Sequence, residues 1–498
     1  MKKALALILT LALTLPLFAC GGGGSSLLEE TETAETLIRT SAPLTTDGAS
    51  GEHDATGFCA GFGRADITPT KPVPLAGYGD TSKRISQNVL DNLYFTIFLL
   101  QDESGEKLAI VQMDVIAIWP AIQGQIRSLI CKATGVKEEY VLLNATHTHS
   151  GPDGYSEEGS VGSWRGLLYK AVTAASKAAL ADLDRCEKIR VGTVETDRLN
   201  FVRRYYLEHG FACDNATYGT GEITGHESPI DQEMRLVRFV RKNQPDLVMA
   251  NWQCHPHRTG SSTKFDISSD IIGTWRKKAE AEMDVKFLYL QGGAGDVNPT
   301  SRIVSEQRFT DYRDIGHALC DHMFDGLNNN MTETAPGAIR AEKSDLIGTV
   351  SHNKEELVET CRTISSLWSG SSSADRAEAQ SLLAANALTS IYEVRAILSR
   401  ANYGETDAIP LYCYAFGDVA IASAPFEMFN QTEKGLREVS PFPFTLTCGY
   451  SNSGMGYMPA ADVWDNEGYE VVTCRFVKGT AEAITGRQLE MLGRLHGN

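Results

Sequence analysis

Two short segments put imidazoles at the ends of apolar runs. The first is Tyr140-Val-Leu-Leu-Asn-Ala-Thr-His147-Thr-His149-Ser150-Gly151-Pro152. If the run continues as a strand, His147 and His149 at i and i+2 share a face and point into one cleft, and the Gly-Pro pair then ends the strand. Neutral imidazole is the commonest metal ligand, so such a pair can chelate a cation or divide the work between ligand and proton carrier. The second is Leu247-Val-Met-Ala-Asn-Trp-Gln-Cys254-His255-Pro256-His257. There a strand again delivers histidine to a turn, and Pro256 breaks the regular geometry, so either His255 or His257 suffices. Downstream, Ser268 or Ser269 is placed to cap a helix, and Asp270 is placed to orient a ligand from behind it.

Three weaker segments follow. Phe287-Leu-Tyr-Leu-Gln291 runs into Gly-Gly-Ala-Gly-Asp296-Val-Asn298-Pro299; glycines there let backbone N–H groups face a ligand, but no Gly-Lys-Ser/Thr makes it a phosphate loop. Val419 to Ala424 is an apolar run that ends in Pro425-Phe426-Glu427 and so sets a carboxylate just past a buried strand. Cys448 to Pro459 and Gly468-Tyr469-Glu470 are rich in glycine and tyrosine. Two zinc folds that use H-x-H after a strand are disfavoured. The metallo-β-lactamase type wants Asp-His where Gly151 and Pro152 stand, and the amidohydrolase barrel wants eight regular βα units.

These segments need a scaffold, and the apolar patterning supplies one. Leu93 to Gln101, Leu108 to Asp114, Tyr140 to Ala145, Lys286 to Gln291, Ile409 to Phe416 and Val419 to Ala424 read as strands. Met234 to Arg241 and Leu247 to Gln253 read as a hairpin about Asn243-Gln244-Pro245. Trp119 to Thr134, Leu167 to Leu183, Ile271 to Met283 and an interrupted stretch from Lys354 to Tyr403 read as helices. The expected fold is α/β: a mixed β-sheet core flanked by helices, one large catalytic domain over 58–498, with no visible internal repeat.

At the start, Lys2 and Lys3 precede an apolar run from Ala4 to Phe18 that ends in Leu17-Phe18-Ala19-Cys20. Residues 1–19 read as a lipoprotein signal peptide, with Cys20 as the lipidated residue. Residues 20–57 read as a flexible tether with order beginning near Phe58. The expectation is export and lipid anchoring to a membrane of the cell envelope. With 46 Lys+Arg against 63 Asp+Glu, the net charge of −17 and the lack of a basic run make nucleic acid an unsuitable partner. The ten cysteines beyond Cys20 stand singly with no C-x-x-C pair, which disfavours a thiolate zinc site.

The set of segments resembles the neutral/alkaline (non-lysosomal) ceramidase family, N-terminal catalytic domain. The carriers are Gly61-Phe-Gly-Arg-Ala-Asp66-Ile-Thr68-Pro69, Gly77-Tyr78-Gly79, Thr146-His-Thr-His-Ser-Gly-Pro152 and Cys254-His255-Pro256 with Ile267-Ser-Ser-Asp270. Gly295-Asp-Val-Asn-Pro299, Pro425-Phe-Glu427 and Gly456-Tyr457 follow in order, over roughly residues 58 to 480. The resemblance implies a zinc-dependent hydrolase of an N-acyl amide. Its substrate would be N-acylsphingosine, cleaved to a sphingoid base and a fatty acid by attack of zinc-bound water, or a related N-acyl lipid. His147, His255, Glu427 and Tyr457 are then the Zn2+ ligands and His149 a proton-transfer or oxyanion-contact residue. Arg203, with Arg204 as its rival, is the site arginine, and Tyr469 donates to the oxyanion. The family's glycine loop usually carries a serine assigned a nucleophilic role; here that position is Asn298, expected to position substrate or donate a hydrogen bond. A C-terminal β-sandwich domain is expected to be missing, since about thirty residues follow Tyr469. Other readings of the same residues are a surface lipoprotein that binds a lipid or glycan-type ligand without turnover, and a hydrolase of a small non-lipid amide or ester.

Overall fold

The computed structural model describes residues 46–47, 53–78, 81–155, 159–213, 216–259, 263–370, 372–466 and 468–497. Cys20 and most of the predicted tether lie outside them. Of the segment before Phe58, Thr46–Asp47 pairs antiparallel with Arg64 and Ala65, and the Asp54 carboxylate accepts from Lys242 at 2.8 Å. These polar residues are held by backbone pairing and charge, which a composition argument does not detect. No helix of the described residues is long and apolar enough to cross a membrane.

The chain builds the same arrangement three times. Strands β1 (Cys59–Asp66), β2 (Tyr94–Gln101) and β3 (Lys107–Met113) form an antiparallel meander. Helix α1 (Pro120–Thr134) then returns the chain to β4 (Val141–Ala145), parallel to β3, and α2 (Gly159–Ala181) follows. The second round is β5 (Asp184–Glu195), β6 (Glu233–Arg241), β7 (Asp246–Trp252), α3 (Asp270–Glu282), β8 (Val285–Gln291) and α4 (Tyr312–Asn329). The third is β9 (Ile339–Thr349), β10 (Thr406–Phe416), β11 (Val419–Ser423), α5 (Asn430–Val439), β12 (Phe444–Cys448) and α6 (Thr480–His496). In each round the closing helix packs on the first strand of its own meander. At β1 the contact is backbone to backbone: a Cβ added to Gly61 or Gly63 would meet the carbonyl of Ala179 or Ala175 of α2 at 2.1 or 2.0 Å, which is why that strand reads Gly-Phe-Gly. The repetition is invisible in the sequence because many apolar patterns satisfy one strand–helix order.

The first two rounds join through β1 and β5 into one sheet of order β8-β7-β6-β5-β1-β2-β3-β4; the third makes a separate sheet of order β9-β10-β11-β12. The fold is thus a mixed-sheet α/β core flanked by helices, as expected. The parallel strands of the three rounds meet through buried amides. Asn144 Oδ1 accepts from Gln291 N at 2.9 Å, Asn144 Nδ2 donates to Gly449 O at 2.9 Å, and Asn251 Nδ2 donates to Thr447 O at 2.9 Å. Each bond satisfies a polar group that burial would otherwise leave costly.

This arrangement positions the site. The segments after β4, β7, β8, β11 and β12 carry His147 and His149, His255, Asn298, Glu427, and Tyr457 respectively. The connections between the first and second strands of each meander (67–93, 196–232 and 350–405) bring in Tyr78, Arg203 and Tyr392. The last connection holds helices Glu355–Ser369, Ser373–Ala385 and Ile391–Arg400, broken near the predicted Ser-Gly-Ser stretch. The ten described cysteines form no disulfide, and all but Cys131 are buried.

Candidate metal centre

His147 and His149 do meet, but not by strand alternation. β4 stops at Ala145, and His147 sits in the left-handed region at φ 67 with its N–H donated to Val115 O at 3.0 Å. A left-handed non-glycine residue is uncommon and is held here by the surrounding bonds. The kink leaves the two Nε2 atoms 3.2 Å apart and the rings 4.9 Å apart.

Both buried imidazoles have a fixed tautomer. His147 Nδ1 lies 2.6 Å from Ile116 O, and His255 Nδ1 lies 3.1 Å from Val297 O. A carbonyl only accepts, so each Nδ1 carries the proton and each Nε2 presents a lone pair. Those lone pairs face Glu427 Oε2 at 3.4 and 3.3 Å, a buried oxygen with no hydrogen-bond donor. Three acceptors turned toward one another repel unless a cation lies among them. Ligand bonds of about 2.0–2.1 Å in tetrahedral array give donor–donor edges of about 3.3 Å, which these separations match. Burial holds His147 in the neutral form a ligand requires, its pKa lowered to about 3, and holds His149 well below its usual range too.

Tyr457 is Glu427's neighbour by backbone pairing: residues 427–428 run parallel to 457–458. Its hydroxyl accepts from Arg203 Nη2 at 3.1 Å. Arg203 Nη1 also lies 3.5 Å from His255 Nε2 and 3.3 Å from Asn298 Oδ1, while its Nε donates to Glu470 at 2.9 Å. Arg204 turns away, into Glu227 and the second oxygen of Glu470. Of the two arginines, Arg203 therefore meets the other site residues. Tyr469 stacks edge-on to Tyr457 at 5.4 Å. Burial pushes both phenols above their usual range, Tyr457 far above it.

Ser269 is the N-cap residue of α3, but the hydroxyl of Ser268 receives the Asp270 N–H, at 2.9 Å. Asp270 does not orient a histidine directly; its carboxylate takes the N–H and hydroxyl of Thr259 at 2.7 and 2.5 Å and so fixes the loop after His257. Sequence reasoning missed Tyr450, whose ring lies 4.1 Å from that of His147, and Glu470, which is fully buried between the two arginines. Both sit in the glycine-tyrosine segments, where only the contacts distinguish one residue from its neighbours. Among the described residues, His147, His149 and His255 form a group whose ligand atoms lie within 4.8 Å of one another.

The model of the neutral/alkaline non-lysosomal ceramidase N-terminal region matches residues 58–354. The chain belongs to the neutral/alkaline non-lysosomal ceramidase family. Among curated ceramidases, it is 25% identical over 277 residues to a neutral ceramidase of Pseudomonas aeruginosa, covering 51% of this chain and 40% of that protein. It is 23% identical over 230 residues to a neutral ceramidase of Oryza sativa, covering 44% and 28%. The chain thus spans less than half the length of these relatives. In three dimensions it superposes on a ceramidase complexed with C2 at a TM-score of 0.67 and on the Pseudomonas aeruginosa neutral ceramidase at 0.65. Each structural match has 18% identity and covers 89% of this chain and 75% of the other. The likeness of fold therefore extends past the matched N-terminal region into the third round.

Proposed function

We propose that the chain is a zinc-dependent hydrolase of an N-acyl amide bond, acting on ceramide or a related N-acyl lipid. The observation that carries this reading is the inward-facing trio of His147 Nε2, His255 Nε2 and Glu427 Oε2, with Tyr457 beside it. Zn2+ bound there would polarise an amide carbonyl and bring the pKa of a water close to neutrality. The protein's own groups do the rest. Arg203 holds the Tyr457 hydroxyl in place and is itself held by Glu470. His149 has a buried Nδ1 with no hydrogen-bond partner and Nε2 at the edge of the trio, so it can take a proton at one nitrogen and release it to the departing amine. Tyr469 is the donor to the oxyanion. Asn298, an amide, cannot serve as an acyl acceptor and acts on substrate by hydrogen bonding. The Leu17-Phe18-Ala19-Cys20 segment supports an envelope location, lipid-anchored to a membrane that presents such amides.

The test is metal analysis of purified protein beside fatty-acid release from a panel of N-acyl amides that includes N-acylsphingosine. We expect roughly one zinc per chain, release abolished by chelation and restored by zinc, and loss of both metal and release in His255→Ala and Glu427→Gln. Protein without zinc and without release would instead favour a lipoprotein that binds its ligand and does not turn it over.

A further inference from the structure

The three α-helices of the 350–405 connection have an apolar core of their own, in which Val358, Ile364, Leu383 and Val394 are buried together. Val472, from the short helix Tyr469–Thr473, packs against that core. The insertion thus reaches the helix that presents Tyr469.

It holds that helix at both ends. At the far end stands Arg400, 5% exposed. Its Nη1 donates to Val472 O at 2.6 Å and to Cys474 O at 2.9 Å, and its Nη2 to Asn353 Oδ1 at 2.7 Å. The first two bonds serve carbonyls that a helix end leaves without intrahelical partners. The third ties the exit of the insertion to its entry. Just beyond, Ser351 N donates to Arg475 O at 2.8 Å and Val350 bridges to Phe476. At the near end the Tyr392 ring stands edge-on to that of Tyr469 at 6.4 Å, a favoured aromatic arrangement, and Tyr469 in turn stands 5.4 Å from Tyr457. Glu470 ties the same helix to Arg203 and Arg204 through its side chain. A helix of five residues has little stability of its own, and one side-chain tie leaves it free to pivot. The bonds from Arg400 to its closing carbonyls remove that freedom.

We infer that the three-helix insertion positions the oxyanion donor: Arg400 and Tyr392 are positioning residues that act on catalysis through Tyr469. The inference rests on the hydrolase reading for the role of Tyr469.

The test is a double-mutant cycle on the hydrolysis of N-octanoylsphingosine. We expect Tyr469→Phe to lower kcat by about a hundredfold, the effect of removing one oxyanion donor. Arg400→Met should lower kcat by about tenfold, a coupling in the range of residues that share one network, with KM and zinc content at wild-type values. In the Tyr469→Phe background it should have no further effect. Tyr392→Leu, which keeps an apolar side chain against the insertion's core, should follow the same pattern. Arg400→Lys keeps a donor for the carbonyls and should retain most of the wild-type kcat. Losses that multiply with that of Tyr469→Phe would make both residues general supports of the fold and overturn the inference, as would a raised KM at unchanged kcat. The second readout is hydrogen exchange on the purified protein. Amides of residues 469–474 should exchange faster in Arg400→Met while those of 355–400 keep their protection. Should Arg400→Met loosen 355–400 as well, the cycle with Tyr392→Leu decides. Exchange of 469–474 at the wild-type rate would overturn the inference whether or not an N-acyl amide is cleaved, whereas a wild type without turnover would strike the hydrolase reading alone.

Discussion

Gly77 lies against His149. Its φ is 110, and a Cβ there would meet His149 Cβ at 2.6 Å and Cγ at 2.7 Å. A side chain at 77 therefore both strains the backbone and pushes the imidazole. Gly77→Ala should lower kcat by about a hundredfold, the scale set by a misplacement near 1 Å, while zinc content measured on the same preparation stays at the wild-type level. Loss of the metal as well would show His149 to be a ligand rather than a proton carrier. His149 Nε2 stands 3.2 Å from His147 Nε2, the spacing a further ligand would have.

The elements around the site are clamped by charge. The hairpin of Arg204–Cys213 and Ala216–His226 and the short helix Tyr469–Thr473 are joined through Glu470, which holds Arg203 and Arg204 at once, and Arg204 is further held by Glu227. All four side chains are buried. Removing one charge from such a network leaves another uncompensated. Glu470→Gln should cost about 3 kcal/mol in urea unfolding, and it should also lower turnover because Arg203 loses the anchor that directs it to Tyr457. A variant that unfolds at the wild-type urea midpoint would show that Arg203 is held by its other contacts instead. This clamp could not be foreseen from Gly468-Tyr469-Glu470, because its partners are more than 240 residues away. The strands and helices themselves were legible. The run Tyr94–Gln101 is buried almost throughout, and α1 opens on Pro120 and closes on Gly135 in the left-handed region. By contrast, β9, with exposed and half-exposed residues through most of its length, carries too little apolar signal to be read.

Across the molecule, two buried carboxyls outside the metal trio set a pH dependence. Burial raises Asp296 from 3.8 to about 7 and Glu433 from 4.5 to about 7; Asn430 bonds to the first and Arg437 beside the second only partly oppose it. Between pH 4.5 and 7 the folded protein thus holds protons that the unfolded chain has released. Stability from these groups is full below the unfolded values, falls as pH rises toward 7, and is flat above. Unfolding free energy measured in urea at pH 5 and pH 8 should be lower at pH 8, and Glu433→Gln should shrink the difference. A difference unchanged by that substitution would move the effect to other groups.

The amino-acid order alone determined the α/β class, the strand ends that carry chemistry and the residue types able to hold a cation. Each of these follows from local period, turn chemistry and donor type, which act within a few residues. Only the tertiary structure decided that three rounds of one strand–helix arrangement share the work, that a left-handed kink rather than strand alternation brings His147 to His149, and that Arg203 instead of Arg204 reaches Tyr457. It also decided that the Asn298 amide turns its oxygen to Arg203. These depend on pairs of side chains far apart in the chain, and their distances are set by how the sheets pack, a quantity no local pattern encodes.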